Sequence, residues 1–404
     1  MFCMKFKRVR SIFFINVGEK PMKLKALALG VALAFPMMAS AQSSTSVTLY
    51  GIVDTGIEYV NNIAADRTGD ETHSSTHFTN LTQSVPSRWG LRGTEDLGNG
   101  LKAVFTLESG FNAGTGTSGQ GGRLFGRQAF VGLAGDWGQI AFGRQYNMLM
   151  RGMLGADFLG PNAYGLGSLD NYIPNTRMDN SITYMGNFSG FKFGAAYARG
   201  RDTVATGGPA ATGCGVDFTD QSACSAYSAM LGYDAANWGI AGAYDVIRGS
   251  GDTVPTNWNG LLRDEKDRRW TINGYVKFDA LKVSLLYLNR KNDAGIGNGW
   301  GDDLGDRSDL WSVAAAYQVS PAVTLDGSVN YIKYKDADES SKAWYYVARA
   351  TYSFSKRTAV YGSAAYIRNS GLSALSAAGG TAPSPSPGVD NNQTAIMVGL
   401  RHSF

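Results

Sequence analysis

The chain holds three histidines, His73, His77 and His402. A hydrolytic site needs a nucleophile with an activating base. His402 alternates in phase with apolar residues, and His73 and His77 fall in a polar stretch, so none has the setting of such a base. The i, i+4 spacing of His73 and His77 is that of two metal ligands on a helix, but no helical period surrounds them and a solvated loop is expected. Gly114 to Gly122 is glycine-rich without the Lys-Ser/Thr of a phosphate loop and without a following helix. What remains is charge. Arg88 and Arg92 alternate with Trp89 and Leu91, and Arg127 is opposite in phase to Phe130. Each thus sits on the polar side of a ribbon whose other side is apolar. Charges fixed on a wall act on polar solutes through their field, without making or breaking bonds.

The elements that must hold these residues follow from composition and period. The 404 residues are 44% hydrophobic, 12% aromatic and 17% charged, with 52 Gly, against about 25% charged in ordinary chains. Disorder and coiled coil are excluded, and no apolar run reaches the roughly 18 residues of a membrane helix. The formal charge of +4 suggests a nucleic-acid partner until the first residues are separated. Met22-Lys23-Leu24-Lys25, the apolar run Ala26 to Met38 and Ala39-Ser40-Ala41 have the order of a secretory signal cleaved after Ala41. Residues 1–21 read as an upstream extension of it. The leader carries seven Lys/Arg and one acid, which leaves 30 basic and 32 acidic residues in 42–404, a net charge of −2. A nucleic-acid partner loses its main support. Cys214 and Cys224 remain in the exported part, where a disulfide is the expected state.

From Ser46 onward the chain repeats about ten residues of period-two alternation and then a turn. Trp270, Ile272, Gly274, Val276 and Phe278 alternate with Thr271, Asn273, Tyr275 and Lys277; Trp311 to Val319 and Trp344 to Phe354 behave alike. Seven short turns alternate with eight long polar connections, near 61–86, 112–122, 146–177, 201–225, 249–267, 292–308, 336–342 and 369–391. That count joins sixteen strands. The apolar faces begin and end on aromatic residues, as interfacial girdles do, and the other faces carry Arg, Lys, Asp, Asn and Thr, which describes a transmembrane β-barrel rather than a soluble sandwich or propeller. Residues 42–404 are one domain on this reading. The last strand ends on Phe404 with Ile396, Val398 and Leu400 in one phase, the form of a C-terminal signal offered to the outer-membrane barrel assembly machinery.

Thr48-Leu49-Tyr50-Gly51-Ile52-Val53-Asp54, Ser87-Arg88-Trp89-Gly90-Leu91-Arg92-Gly93-Thr94-Glu95-Asp96-Leu97-Gly98-Asn99-Gly100, Gly126-Arg127-Gln128-Ala129-Phe130-Val131-Gly132-Leu133 and the terminal Val398-Gly399-Leu400-Arg401-His402-Ser403-Phe404 resemble the general diffusion porins of Gram-negative bacteria, the β-proteobacterial branch above all. The resemblance implies an all-β, 16-stranded antiparallel barrel in the outer membrane, a homotrimer, and a long third loop, here 146–177, folded into the lumen. It implies a basic ladder at the constriction, matched by Arg88, Arg127 and Arg177 with Arg92 beside them. Acidic partners are expected from Asp157 and Asp170 in the loop and from Asp54 and Glu108 on neighbouring strands. Many members carry Pro-Glu-Phe-Gly-Gly in this loop, where this chain has Ala156-Asp157-Phe158-Leu159-Gly160.

The function so implied is passive diffusion of ions and small hydrophilic solutes through a water-filled pore with charge filtering. No enzyme activity, cofactor or metal is implied. A substrate-selective channel for sugars or oligopeptides is the alternative, and an outer-membrane barrel hydrolase a weaker one. Wall arginines favour anions while the net charge of −2 favours cations, so the sign of selectivity stays open. The run Arg263 to Arg269 is expected to be a solvated rim in contact with lipopolysaccharide or divalent ions.

Overall fold

The computed structural model describes residues 45–79, 82–170, 172–173, 176–200, 221–250, 261–335, 340–380 and 385–404. The proposed leader and Cys214 lie outside the described residues. The strands are β1 Ser46–Ala64, β2 Thr72–Phe78, β3 Arg88–Gly98, β4 Leu101–Gly110, β5 Gln128–Gly135, β6 Gly138–Tyr146, β7 Arg177–Phe188, β8 Phe191–Arg199 and β9 Ser225–Asp234. They continue with β10 Trp238–Arg248, β11 Lys266–Phe278, β12 Leu281–Asn292, β13 Arg307–Gln318, β14 Val323–Lys335, β15 Lys342–Ser353, β16 Thr358–Ser370 and β17 Asn392–Ser403. Each pairs antiparallel with its neighbours in one sheet, and β17 returns to β1 with Ile52 opposite Ser403 and Val60 opposite Ala395. The sheet is closed.

Seventeen strands make sixteen staves because β2 and β3 lie end to end along β1. Thr72–Phe78 faces Ile57 to Ala64, and Arg88 to Thr94 faces Ile52 to Ser46. The connection expected over 61–86 is therefore partly sheet. His73 and His77 stand on β2, correcting the solvated-loop expectation, because β1 runs far enough to give that stretch a partner. His77 Nε2 meets Glu58 Oε2 at 3.0 Å.

The strands also start earlier than the apolar alternation suggests. β11 begins at Lys266, so the run Arg263 to Arg269 is not a uniform solvated rim. Asp267 and Arg269 fall on the inward phase with Thr271 and Asn273 and are buried, while Lys266 and Arg268 fall on the outward phase with Trp270.

Outward positions are apolar and open: Val398 is 65% exposed, Leu231 64% and Val313 51%. For a soluble chain such a surface would be an aggregation hazard. Inward neighbours such as Met397, Ala395 and Gln393 are buried. Near the loop end an aromatic row crosses the strands, with Trp270 against Tyr287 at 5.0 Å, Tyr287 against Trp311 at 4.4 Å and Tyr331 against Trp344 at 4.7 Å between ring centres. A second row lies near the short turns, where Phe191, Tyr233 and Trp238 pack at 4.7 and 5.5 Å. Eight residues separate Trp344 from Tyr352. At about 3.3 Å each along a strand tilted ~40° they span roughly 20 Å, close to the ~25 Å apolar band of outer-membrane barrels.

At the opposite end from the short turns, three connections brace one another. Arg67 grips Asp302 through two bonds of 2.7 and 2.6 Å, Asn391 Nδ2 donates to the Thr68 carbonyl at 2.8 Å, and Asn298 Nδ2 donates to the Leu372 carbonyl at 2.8 Å.

The polarity of the wall is tested by Val313→Arg. A charge there near mid-band is expected to cost about 2–4 kcal/mol, read as a lower midpoint of reversible unfolding from phospholipid vesicles. An unchanged midpoint would contradict the assignment of this face to lipid.

Candidate functional site

The inward phase of β3 carries Arg88, Gly90, Arg92 and Thr94, and that of β4 carries Glu108. Glu108 is the hub of the basic wall. Its Oε1 takes the Arg127 Nε at 2.7 Å, its Oε2 takes the Tyr50 hydroxyl at 3.0 Å, and Arg88 Nε stands 3.6 Å away. Arg127, immediately before β5, donates from Nη2 to the Tyr146 hydroxyl at 2.8 Å. Arg177, the first residue of β7, donates to the same hydroxyl at 3.2 Å and lies over its ring at 5.0 Å. Arg92 sits over the Tyr50 ring at 5.3 Å. The four arginines singled out in the sequence are thus strung together as Arg92, Tyr50, Glu108 with Arg88 and Arg127, Tyr146, Arg177. Arg127 and Arg177 are buried, Arg88 is partly open and Arg92 is exposed.

Asp54, Asp157 and Asp170 do not join this string. Asp54 is buried and accepts from Ser84 Oγ at 2.5 Å, the Val85 amide at 3.0 Å and the Tyr361 hydroxyl at 2.6 Å. Asp170 is gripped by Arg269, Nε to Oδ2 at 2.7 Å and Nη2 to Oδ1 at 3.2 Å. Burial alone would raise its pKa, but the Arg269 guanidinium outweighs it and holds the carboxyl at about 2. Asp157 accepts from the Gly160 amide at 3.0 Å. Burial pushes its pKa up to about 6 against the opposing effects of that amide and of Arg349.

Both of these aspartates belong to the segment 147–176, whose contacts are with inward-facing groups. Its short helix, Met148–Met153, is capped by Asn147, which accepts from the Met150 amide at 3.0 Å and donates to Asp245 at 2.7 Å. Gly194 makes room for the helix: a Cβ there would lie 2.4 Å from the Met148 sulfur. The carbonyls of Gly152, Gly155 and Ala156 accept from Asn273, Lys282 and Ser284 at 3.1, 2.8 and 2.6 Å. Farther on, the Ala163 amide donates to the Gln83 carbonyl at 2.8 Å and Ser168 Oγ donates to the Tyr345 hydroxyl at 3.2 Å. Asp170 and Tyr172 then return to Arg269 on β11 and Asp245 on β10. The segment runs along β9–β12, reaches β15, and comes back.

Two charged groups escaped parity reasoning. Strict alternation puts Arg144 in phase with Phe142, outward. A register shift between Gly143 and Gln145, with Gly143 at φ +128°, turns Arg144 inward. It is buried, paired with Asp179, and donates to the Gly126 carbonyl at 2.8 Å. Arg123 reaches the same carboxylate at 3.5 Å. A glycine that interrupts an alternating run was the available signal. At the loop ends of β3–β7, five guanidinium groups (88, 123, 127, 144, 177) face two carboxylates, Glu108 and Asp179, among the described residues, with Arg92 farther along β3. Cys224 is buried and disulfide-bonded.

Comparison with known proteins accords with this geometry. Residues 26–372 match the family model of the Gram-negative porin. The chain is 32% identical to an outer membrane porin protein of Bordetella pertussis over 94% of its own length and 100% of that protein's. It is 30% identical to outer membrane porin protein 32 of Delftia acidovorans over 95% and 100%. Among solved structures, an anion-selective porin from Comamonas acidovorans superposes with a TM-score of 0.69 at 26% identity, covering 89% of this chain and 100% of that one. A closed sixteen-stave barrel, apolar outside and charged within, together with the family match over most of the chain and two full-length relatives that are porins, establishes that this chain belongs to the Gram-negative porin family and forms a channel in the outer membrane.

Proposed function

We propose that the channel is a charge-filtering pore that favours small anions, with its constriction between the segment 147–176 and the arginine string. The observation that carries this reading is the excess of guanidinium over carboxylate at the loop ends of β3–β7. Arg88 and Arg92 are the groups a solute touches. Arg127 and Arg177, buried behind them, act through the field they add. Across the opening, Asp157 and Asp170 supply the opposite sign, but Asp170 is neutralised by Arg269; Asp54, on β1 beside Arg88, is enclosed by its hydrogen bonds. The net potential at the opening is therefore positive although the chain from 42 onward is acidic overall. At physiological salt the Debye length is about 8 Å, comparable with a passage lined by side chains from both walls, so screening is incomplete. The anion selectivity of the Comamonas acidovorans porin is in keeping with this.

The strands of the same barrel are shorter in β3–β6 and β8–β10, at 8 to 11 residues, than in β11–β17, at 12 or 13. The outer faces of β5 and β6 expose Val131, Leu133, Ile140 and Phe142. A short, apolar stretch of wall fits burial against copies of the chain, in a homotrimer.

Three measurements bear on these proposals. Reconstituted wild-type channels under a KCl gradient are expected to give an anion-favouring zero-current potential that moves toward cation selectivity in Arg92→Gln and further in Arg127→Ala; no movement in either would remove the arginines from the filter. A carboxyl raised to about 6 is charged above that pH and neutral below it. Anion preference is therefore expected to rise between pH 7.5 and pH 5, with the part owed to Asp157 missing in Asp157→Asn. Detergent electrophoresis without heating is expected to show a band near three monomer masses that collapses on boiling and is weakened by Leu133→Arg; a monomer band in unheated wild type would sink the trimer.

A further inference from the structure

A cavity of about 470 Å³ lies inside the loop end of the barrel, where the segment 147–176 meets the connections 293–306 and 371–391 against the ends of β12 and β14. Small-molecule sites occupy roughly 300–1,000 Å³. Arg88, Arg92, Arg127 and Arg177 are not among its described lining residues. The lining is of two kinds. Part of it is apolar and built around Trp300, with Leu169, Ile296 and Leu304 buried beside the cavity. The Trp300 indole Nε1 donates to Ser386 Oγ at 3.1 Å, and its amide donates to Asn298 Oδ1 at 2.9 Å. Gly299 and Gly301, at φ +84° and +94°, make the tight turn that sets the ring in place. Asn298 ties that turn to the next connection through the Leu372 carbonyl, so the cavity is formed before anything enters it.

The rest of the lining is polar, and two of its donors are unspent. Arg290 and Tyr334 lie on the inward phases of β12 and β14. Arg290 commits Nε and Nη2 to Asp267 at 3.2 and 2.8 Å, while its Nη1 has no hydrogen-bond partner among the described residues. Tyr334 is only 4% exposed, and its hydroxyl has no partner among the described residues either. A polar group so enclosed is costly unless something meets it. The charges around it do not do so. Arg290, Asp267, Arg269 and Asp170 alternate in a row of ion pairs at 2.8, 3.0 and 2.7 Å. Asp267 is shared by two guanidinium groups and both Asp170 oxygens are held by Arg269. The row therefore presents its cationic end, Arg290, to the cavity.

We infer that this cavity is a binding site for a small aromatic carboxylate. Its ring packs against Trp300 and the apolar residues, and its carboxylate accepts from Arg290 Nη1 and the Tyr334 hydroxyl. A charge-assisted pair of this kind is stronger than a neutral one. A sugar could lie against Trp300 but would leave the guanidinium edge without a counter-charge, and an aliphatic acid would forgo the contact between rings. Ser168 and Asp170 also line the cavity, so an occupant touches the segment 147–176 directly. The site is separate from the arginine string and does not depend on the sign of the pore's selectivity.

The test uses the purified full-length barrel in dodecyl maltoside and calorimetric titration with benzoate, benzamide, cyclohexanecarboxylate and maltose. Saturable binding of one benzoate per chain is expected, at least about tenfold tighter than that of the other three. Tyr334→Phe removes only the unpaired hydroxyl and is expected to weaken benzoate about tenfold. Trp300→Leu and Arg290→Gln are expected to weaken it at least as much, each with the circular dichroism of a folded barrel. Should either of these two fail to fold, Tyr334→Phe carries the test. Absence of saturable benzoate binding, benzamide binding as tightly as benzoate, or undiminished binding by folded Tyr334→Phe overturns the inference. Tighter binding of maltose would overturn it in favour of a sugar site. Loss of benzoate binding in Arg92→Gln together with full binding by Tyr334→Phe would overturn it by placing the anion at the arginine string.

Discussion

In hydrocarbon no water is available to a backbone amide or carbonyl, and each one left unpaired costs several kcal/mol. The structure answers to that requirement first. A sheet satisfies every group only when it has no edge, so β17 must find β1, and the seam holds to the last residue: Phe404 and Gly51 exchange backbone bonds of 3.0 and 3.2 Å. Once the sheet is closed, alternation leaves each side chain one of two destinations. The division into a lipid face and a solvent face follows from the pleat.

Closure also makes the interior a place where charges can be held. Side chains that enter from all sides meet at close range, and each buried ion finds partners before it finds water. Glu108 serves two arginines and a tyrosine, and Tyr146 serves two arginines. Asp267 lies between Arg269 at 3.0 Å and Arg290 at 2.8 Å. Removing one member of such a set leaves another ion buried without a counter-charge, which costs more than the pair contributes. These arrangements are weak as sources of stability and strong as determinants of position. They fix where the guanidinium groups stand on the inner wall.

Much of this was legible in the chain because alternation and turn chemistry are short-range properties. The inward direction of Arg88, Arg92 and Arg127 could be read from their immediate neighbours. Asn99 and Gly100, both at positive φ, mark a turn by residue type alone. What could not be read depended on distant partners or on a local break in period. β2 looks like polar loop, and it is strand because β1 overruns to face it. Arg144 reads as outward until the bulge at Gly143 is known. Asp170 reads as an acidic group available to the pore, and no local pattern announces that Arg269, 99 residues later, holds it.

The brace among the connections around Arg67, Asp302 and Asn391 has a bearing on how this surface can change. Loops that touch nothing drift in sequence and length independently. Here three connections share bonds, so an insertion in one displaces the bonding partners of the others, and the crown is one coupled surface rather than three separate ones.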